Sequence, residues 1–202
     1  MIGKWNKSVI LSYIGLSLSV LGVFLIFKGL DTKYALVCLI FAGICDLFDG
    51  TVARRCKRTK EEKAFGIELD SLIDVFNFIA FPIIILCSLK LTDIYAIPVY
   101  ILYAIFGIAR LAHFNITTEN NNKPVKYYEG LPVTYAALLF PIIYLLSFFI
   151  KINIFNIIYL VLALLIAIMF IIKVKIPKPR LVSSLLLLLL AIVISILYLF
   201  VL

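Results

Sequence analysis

Apolar positions in this chain come in long unbroken runs rather than in alternation. Runs can be read at about 9–29, 34–54, 68–89, 94–115, 131–150, 153–172 and 181–201. Each reaches the roughly 20 residues that a helix needs to cross a bilayer. A membrane β-barrel would instead show alternating segments of about 10 residues, and stretches such as Leu185–Leu190 and Ile157–Ile172 do not alternate. The pattern predicts an all-α, polytopic transmembrane bundle of about seven helices. Residues 1–202 read as a single integral membrane domain, without a Gly/Ser linker, low-complexity tail or internal repeat. The polar breaks are a basic loop, Arg55–Lys63, the stretch Thr117–Glu129, and a proline-broken connection, Lys173–Arg180. Pro82, Pro98, Pro132 and Pro141 fall in or beside apolar runs, where membrane helices tolerate proline if a neighbour satisfies the freed carbonyl.

Composition agrees with lipid as the solvent. Of 202 residues, 64% are hydrophobic and 15% charged, and the mean hydropathy is +1.16; soluble domains are roughly 45–50% apolar and about 25% charged. The net charge of +8 matters through its placement. Fourteen Lys and Arg, including Lys4, Lys7, the Arg54–Lys63 cluster, Lys123, Lys126, Lys178 and Arg180, fall on one side, against four (Lys28, Lys33, Lys90, Lys151) on the other. The positive-inside rule then puts the N-terminus and the 55–66 loop in the cytoplasm and, with seven spans, the C-terminus outside. The first run lacks a following cleavage site and reads as a retained helix. Cys38, Cys45, Cys56 and Cys87 show no metal-like spacing and read as small apolar residues. The basic loop suits topology and anionic lipid headgroups. Without base-stacking aromatics on a soluble module, it offers nothing to nucleic acid. Trp5, Tyr127 and Tyr128 read as interfacial belt residues.

Charge inside a span is costly and marks function. The second run ends Asp46-Leu-Phe-Asp49-Gly50-Thr-Val-Ala53-Arg54, and the third begins Gly66-Ile-Glu-Leu-Asp70-Ser-Leu-Ile-Asp74. At helical spacing, 46, 49, 50, 53 and 54 share one face, as do 66, 70 and 74. A short loop makes the two helices antiparallel neighbours, so four carboxylates should meet near the cytoplasmic boundary. That much like charge needs compensation, by protons or by cations. An all-oxygen set suits Mg²⁺ or Mn²⁺, with Ca²⁺ as a possible occupant, and a two-metal cluster would clamp a diphosphate. The same acids would also serve a helix-packing face with cation passage, so a cation transporter is the competing reading from another class.

The whole string, Asp46-x2-Asp49-Gly50-x2-Ala53-Arg54, eleven residues, then Gly66-x3-Asp70-x3-Asp74, resembles the signature of the CDP-alcohol phosphotransferases. Phe65–Asp74, Gly107-Ile-Ala-Arg-Leu-Ala-His-Phe-Asn115 and Gly130-Leu-Pro-Val-Thr134 are similar to the phosphatidylserine synthase branch, with His113 where arginine is usual. The resemblance covers roughly residues 40–135. It implies a homodimeric enzyme that moves a phosphatidyl group from a CDP-diacylglycerol-type lipid to the hydroxyl of serine, releasing CMP.

The resemblance also implies roles. Asp46, Asp49, Asp70 and Asp74 would hold one or two divalent cations, with Asp74 as general base. Asp49, Gly50, Ala53, Arg54 and Gly66 would meet the nucleotide, and Arg110, His113 and Asn115 the acceptor. Glu68, one residue off the acid stripe, reads as a loop-end or dimer-contact charge. Acceptors such as inositol phosphate or glycerol phosphate would need more basic residues than Arg110, so an amino acid is the expected acceptor.

Overall fold

Ser12, Gly15, Ser19 and Gly22, small residues three and four apart, form the buried face of the first helix. In lipid, where the hydrophobic effect no longer drives helices together, such faces allow close backbone approach. The computed structural model describes residues 3–4, 6–120, 127–177 and 181–201. Among these residues the chain forms seven helices. They are α1 (Ile10–Phe27, entered through a 3-10 turn Lys7–Val9), α2 (Thr32–Arg55), α3 (Lys60–Ser88), α4 (Ala96–Asn120), α5 (Val133–Phe148), α6 (Ile152–Ile171) and α7 (Leu181–Ile196, continued by a π-helical turn Leu197–Val201). Six are long and apolar enough to cross a membrane, and α5 is a shorter apolar helix. The chain is thus the all-α polytopic bundle expected. Trp5, Lys123, Lys126, Lys178 and Arg180 lie outside the described residues.

Helix α2 is the hub, touching α1, α3, α5 and α7; its Ala35, Leu36, Leu39 and Ala42 have no exposed surface. At the crossing with α5, a Cβ on Gly43 would lie 2.5 Å from Ala137 Cβ. Only a hydrogen there lets α5 pass this close, one turn from Asp46. Helices α4 and α6 pair beside this group. Ile10, Phe24, Ile101, Ile105 and Leu189 face outward, where lipid rather than protein covers them.

Helix α3 starts at Lys60, not at 68 as hydropathy predicted. Its first turns are polar, but Thr59 and Glu62 form a reciprocal capping box, with Glu62 N–H donating to Thr59 Oγ1 at 3.2 Å and Thr59 N–H to Glu62 Oε2 at 2.7 Å. Gly66–Asp74 therefore sits within a helix already under way. Directly after Asp74 the backbone widens into a π-helical stretch, Val75–Ala80, a feature frequent at functional sites. Pro82 then has no N–H for the Phe78 carbonyl, and Tyr103 of α4 donates its hydroxyl there at 2.9 Å. Around Pro141, where α5 passes from α to 3-10 geometry, Tyr159 and Tyr198 donate to the carbonyls of Phe140 and Pro141. All three tyrosines are fully buried, so these bonds satisfy carbonyls that lipid cannot.

Two segments read as loops are strands. β1 (Tyr127–Glu129) pairs antiparallel with β2 (Lys175–Pro177), Tyr128 opposite Ile176. Backbone pairing between short polar segments leaves no trace in hydropathy, and it joins two connections that the charge count puts on one side. Gly130 ends β1 at φ +76°, with Phe170 O only 2.6 Å from where a Cβ would be. Its N–H donates to Val174 O at 3.0 Å, which seats the start of α5 against the end of α6. The cysteines are free; Cys38 and Cys45 are buried, Cys56 half-buried and Cys87 exposed.

Candidate active site

Four aspartates converge where α2 and α3 meet. One carboxylate oxygen from each of Asp46, Asp49 and Asp70 lies within 4.8 Å of the others. Oxygens sharing one cation at roughly 2.0–2.6 Å are separated by at most about 4–5 Å, so small side-chain adjustments would gather the set around one hard divalent ion. Asp74, one turn deeper than Asp70, is 9% exposed and faces Asp46, while Asp49 faces Asp70. Ser12 of α1 donates to Asp49 Oδ2 at 3.2 Å. The sequence reading passed over Ser12; its membership of the small-residue stripe was the available signal.

The carboxylates open into a cavity of about 420 Å³ between α2, α3, α4, α5 and α7. Its polar end carries Asp46, Asp49, Asp70 and Asp74 with Gly50, Arg54, Ser71, Arg110, Asn115 and Thr134. Its apolar lining includes Ile40, Ile44 and Leu47 of α2, Leu138 of α5 and Leu187 and Leu188 of α7. Nothing in the apolar run of α7 marks it as part of the site, because only packing decides which of its leucines face inward. Among the nucleotide candidates, Gly50 and Arg54 line the cavity, and Arg54 is exposed and donates to Thr51 Oγ1 at 2.9 Å. Ala53 lies half-buried on the same stretch of α2, outside the cavity wall. Gly66 also stands apart from the wall, next to Val9 and Arg58. Glu68 is exposed.

Arg110 is 7% exposed, and its Nε has no hydrogen-bond partner among the described residues. It feels the charges of Asp74 and Asp46, yet neither ion pair found among the described residues involves it. Its guanidinium carbon instead sits 5.0 Å from the Phe114 ring centre and 5.8 Å from that of Tyr128, a cation–π clamp. Burial pushes the Tyr128 phenol up, so a neutral ring faces the cation. Tyr128 is thereby part of the site rather than a belt residue; Tyr127, beside it, is exposed. Asn115 Nδ2 donates to Ser71 Oγ at 2.7 Å, tying α4 to the acid helix between Asp70 and Asp74.

On α4 the cavity face is the arc of 110, 111, 114 and 115. Residue 113 lies about 60° outside that arc at 100° per residue. His113 accordingly is exposed and pairs with Glu129 of β1, Nε2 to Oε2 3.4 Å. The structure thus brings Arg110 and Asn115 into the cavity with the four aspartates and leaves His113 at its rim.

A profile of the CDP-alcohol phosphatidyltransferase family matches residues 5–200. The chain belongs to that family. The description of that family is of a transferase and not of a cation transporter. Among curated relatives, the archaetidylserine synthase of Methanothermobacter thermautotrophicus is 33% identical over 141 residues, covering 69% of this chain and 58% of the relative. The CDP-diacylglycerol–serine O-phosphatidyltransferase of Helicobacter pylori is 37% identical over 123 residues, 59% of this chain and 50% of the relative. That of Saccharomyces cerevisiae is 34% identical over 100 residues, 46% of this chain and 35% of the relative. The chain therefore spans about a third to somewhat over half of the length of these relatives.

Proposed function

We propose that the chain transfers a phosphatidyl-type group from a CDP-activated diacyl or ether lipid to the hydroxyl of L-serine, releasing CMP. The observation that carries this reading is Arg110, a buried guanidinium against two rings, without a carboxylate at ion-pair distance among the described residues, in the cavity that holds the four aspartates. A lone buried cation needs one anion, and the carboxylate of serine supplies it. The other cation of the wall, Arg54, is exposed at the mouth, where it serves the diphosphate. A phosphate-bearing acceptor would meet too little positive charge. The names of the relatives support the same acceptor.

Asp46, Asp49, Asp70 and Asp74 would hold one or two divalent cations, Mg²⁺ or Mn²⁺. Bound there, the ions neutralise the diphosphate and the departing CMP. Gly50 leaves room for the nucleotide with Asp49 and Arg54; Ala53 and Gly66 keep the neighbouring helix surfaces low. Asp74 accepts the proton of the serine hydroxyl, Arg110 and Asn115 orient the acceptor, and the leucine-lined end receives the start of the lipid chains. The six long apolar helices and the positive-charge bias support a single catalytic domain in the cell membrane with its site facing the cytoplasm. It works as a homodimer.

The test is purified protein with CDP-diacylglycerol or its ether analogue, Mg²⁺ or Mn²⁺, and a panel of alcohols, with CMP release measured. Serine-dependent release that stops on chelation is expected. Release that rises with inositol phosphate or glycerol phosphate, and not with serine, overturns the acceptor assignment.

A further inference from the structure

Beneath the aspartates lies a second, much smaller space of about 10 Å³, walled by Ser12, Asp46, Asp49, Asp70, Asp74 and Asn77. That is the size needed for a single water, which must also find polar partners. Asn77 supplies one. It is 2% exposed, and its Oδ1 has no hydrogen-bond partner among the described residues. An amide oxygen buried without a partner is costly. Of the remaining wall, ionised carboxylates only accept, the Ser12 hydroxyl directs its proton to Asp49 Oδ2, and the Cys45 thiol, a weak donor, makes no hydrogen bond to it. Whatever satisfies Asn77 must therefore donate, and must donate to carboxylates as well.

We propose that this space is a single-water site and that Asn77 is a positioning residue. Its Oδ1 takes one hydrogen of the water, and the other goes to the inner carboxylates of Asp46 and Asp74. This anchors their orientation from the side opposite the main cavity. The π-helical stretch that starts beside Asp74 carries Asn77, and Gly15 of α1 packs over it and against α2, where a Cβ would stand 3.2 Å from Cys45 Cβ. The inference rests on reading the aspartates as a cation site, because orientation of ligands from behind is what it supplies.

The test titrates Mn²⁺ into the purified full chain without substrate, following free Mn²⁺ by electron paramagnetic resonance. Asn77→Leu is similar in volume and suits a membrane interior, but removes the acceptor. Asn77→Ser keeps an acceptor and leaves room for added water. Loss of outer-shell support typically weakens metal binding roughly 10–100-fold. That loss is expected for Asn77→Leu, with an unchanged metal-free unfolding midpoint, while Asn77→Ser stays close to the parent. Asn77→Leu binding Mn²⁺ as tightly as the parent overturns the inference. So does equal weakening in both variants, or a lowered metal-free midpoint, since a merely structural asparagine would produce either. A parent chain that takes up no Mn²⁺ overturns the cation-site reading and this inference with it.

Discussion

Replacing Arg110 with Met keeps the length and apolar bulk of the side chain and removes only the guanidinium. In the structure that group is 7% exposed, is held against Phe114 and Tyr128 and has no carboxylate at ion-pair distance among the described residues. Its deletion should therefore leave the protein without substrate about as stable as before, because the attraction of Asp74 and Asp46 that is lost is offset by the desolvation of the guanidinium that is relieved. With the acceptor bound, the same deletion strands a buried carboxylate, a loss of roughly 2–5 kcal/mol, or about 30- to 4,000-fold. The loss should fall on kcat/KM for serine and leave the KM for CDP-lipid near its original value. Arg110→Lys should land between, since an ammonium retains charge but not the flat fork that lies against the Phe114 and Tyr128 rings. Steady-state CMP release, with serine and CDP-lipid varied in turn, separates the two constants. Equal loss of apparent affinity for both substrates, or an unchanged serine dependence, would refute the assignment of Arg110 to the acceptor.

Asp74→Asn should abolish most turnover, with the base contributing roughly 10²–10⁴-fold, while CDP-lipid binding in a filter or calorimetric assay persists; near-normal rates would remove Asp74 as the base. Gly50→Leu should raise the KM for CDP-lipid about 5- to 150-fold, from roughly 1–3 kcal/mol of overpacking once nucleotide occupies the space that the glycine leaves open in the cavity wall, and kinetics with CDP-lipid varied would show it. Tyr103→Phe strands the Phe78 carbonyl that Pro82 cannot serve, so the unfolding midpoint in detergent should reflect a loss of about 1–3 kcal/mol, with little change in KM for either substrate.

Much of this protein could be read from residues close together along the chain. Run length set the number of helices, six of them long enough to cross a membrane rather than the seven expected, because each helix must satisfy its own backbone polarity in lipid regardless of its neighbours. Spacing along α2 and α3 placed the four aspartates on facing stripes, because a helix repeats every 3.6 residues and a short loop forces the two side by side. The tertiary structure decided the rest. Arg110 and His113 are three residues apart, yet one is walled in by rings from β1 and α4 and the other pairs with Glu129 outside, a split set by the arc of α4 that α2 and α3 face. Tyr128 became a site residue only through the strand pairing of segments nearly fifty residues apart. The leucines of α7 and the buried Asn77 are apolar-run residues like any other until packing turns them toward a cavity. Local periodicity carries information about faces; which face meets which requires the contacts of the whole bundle.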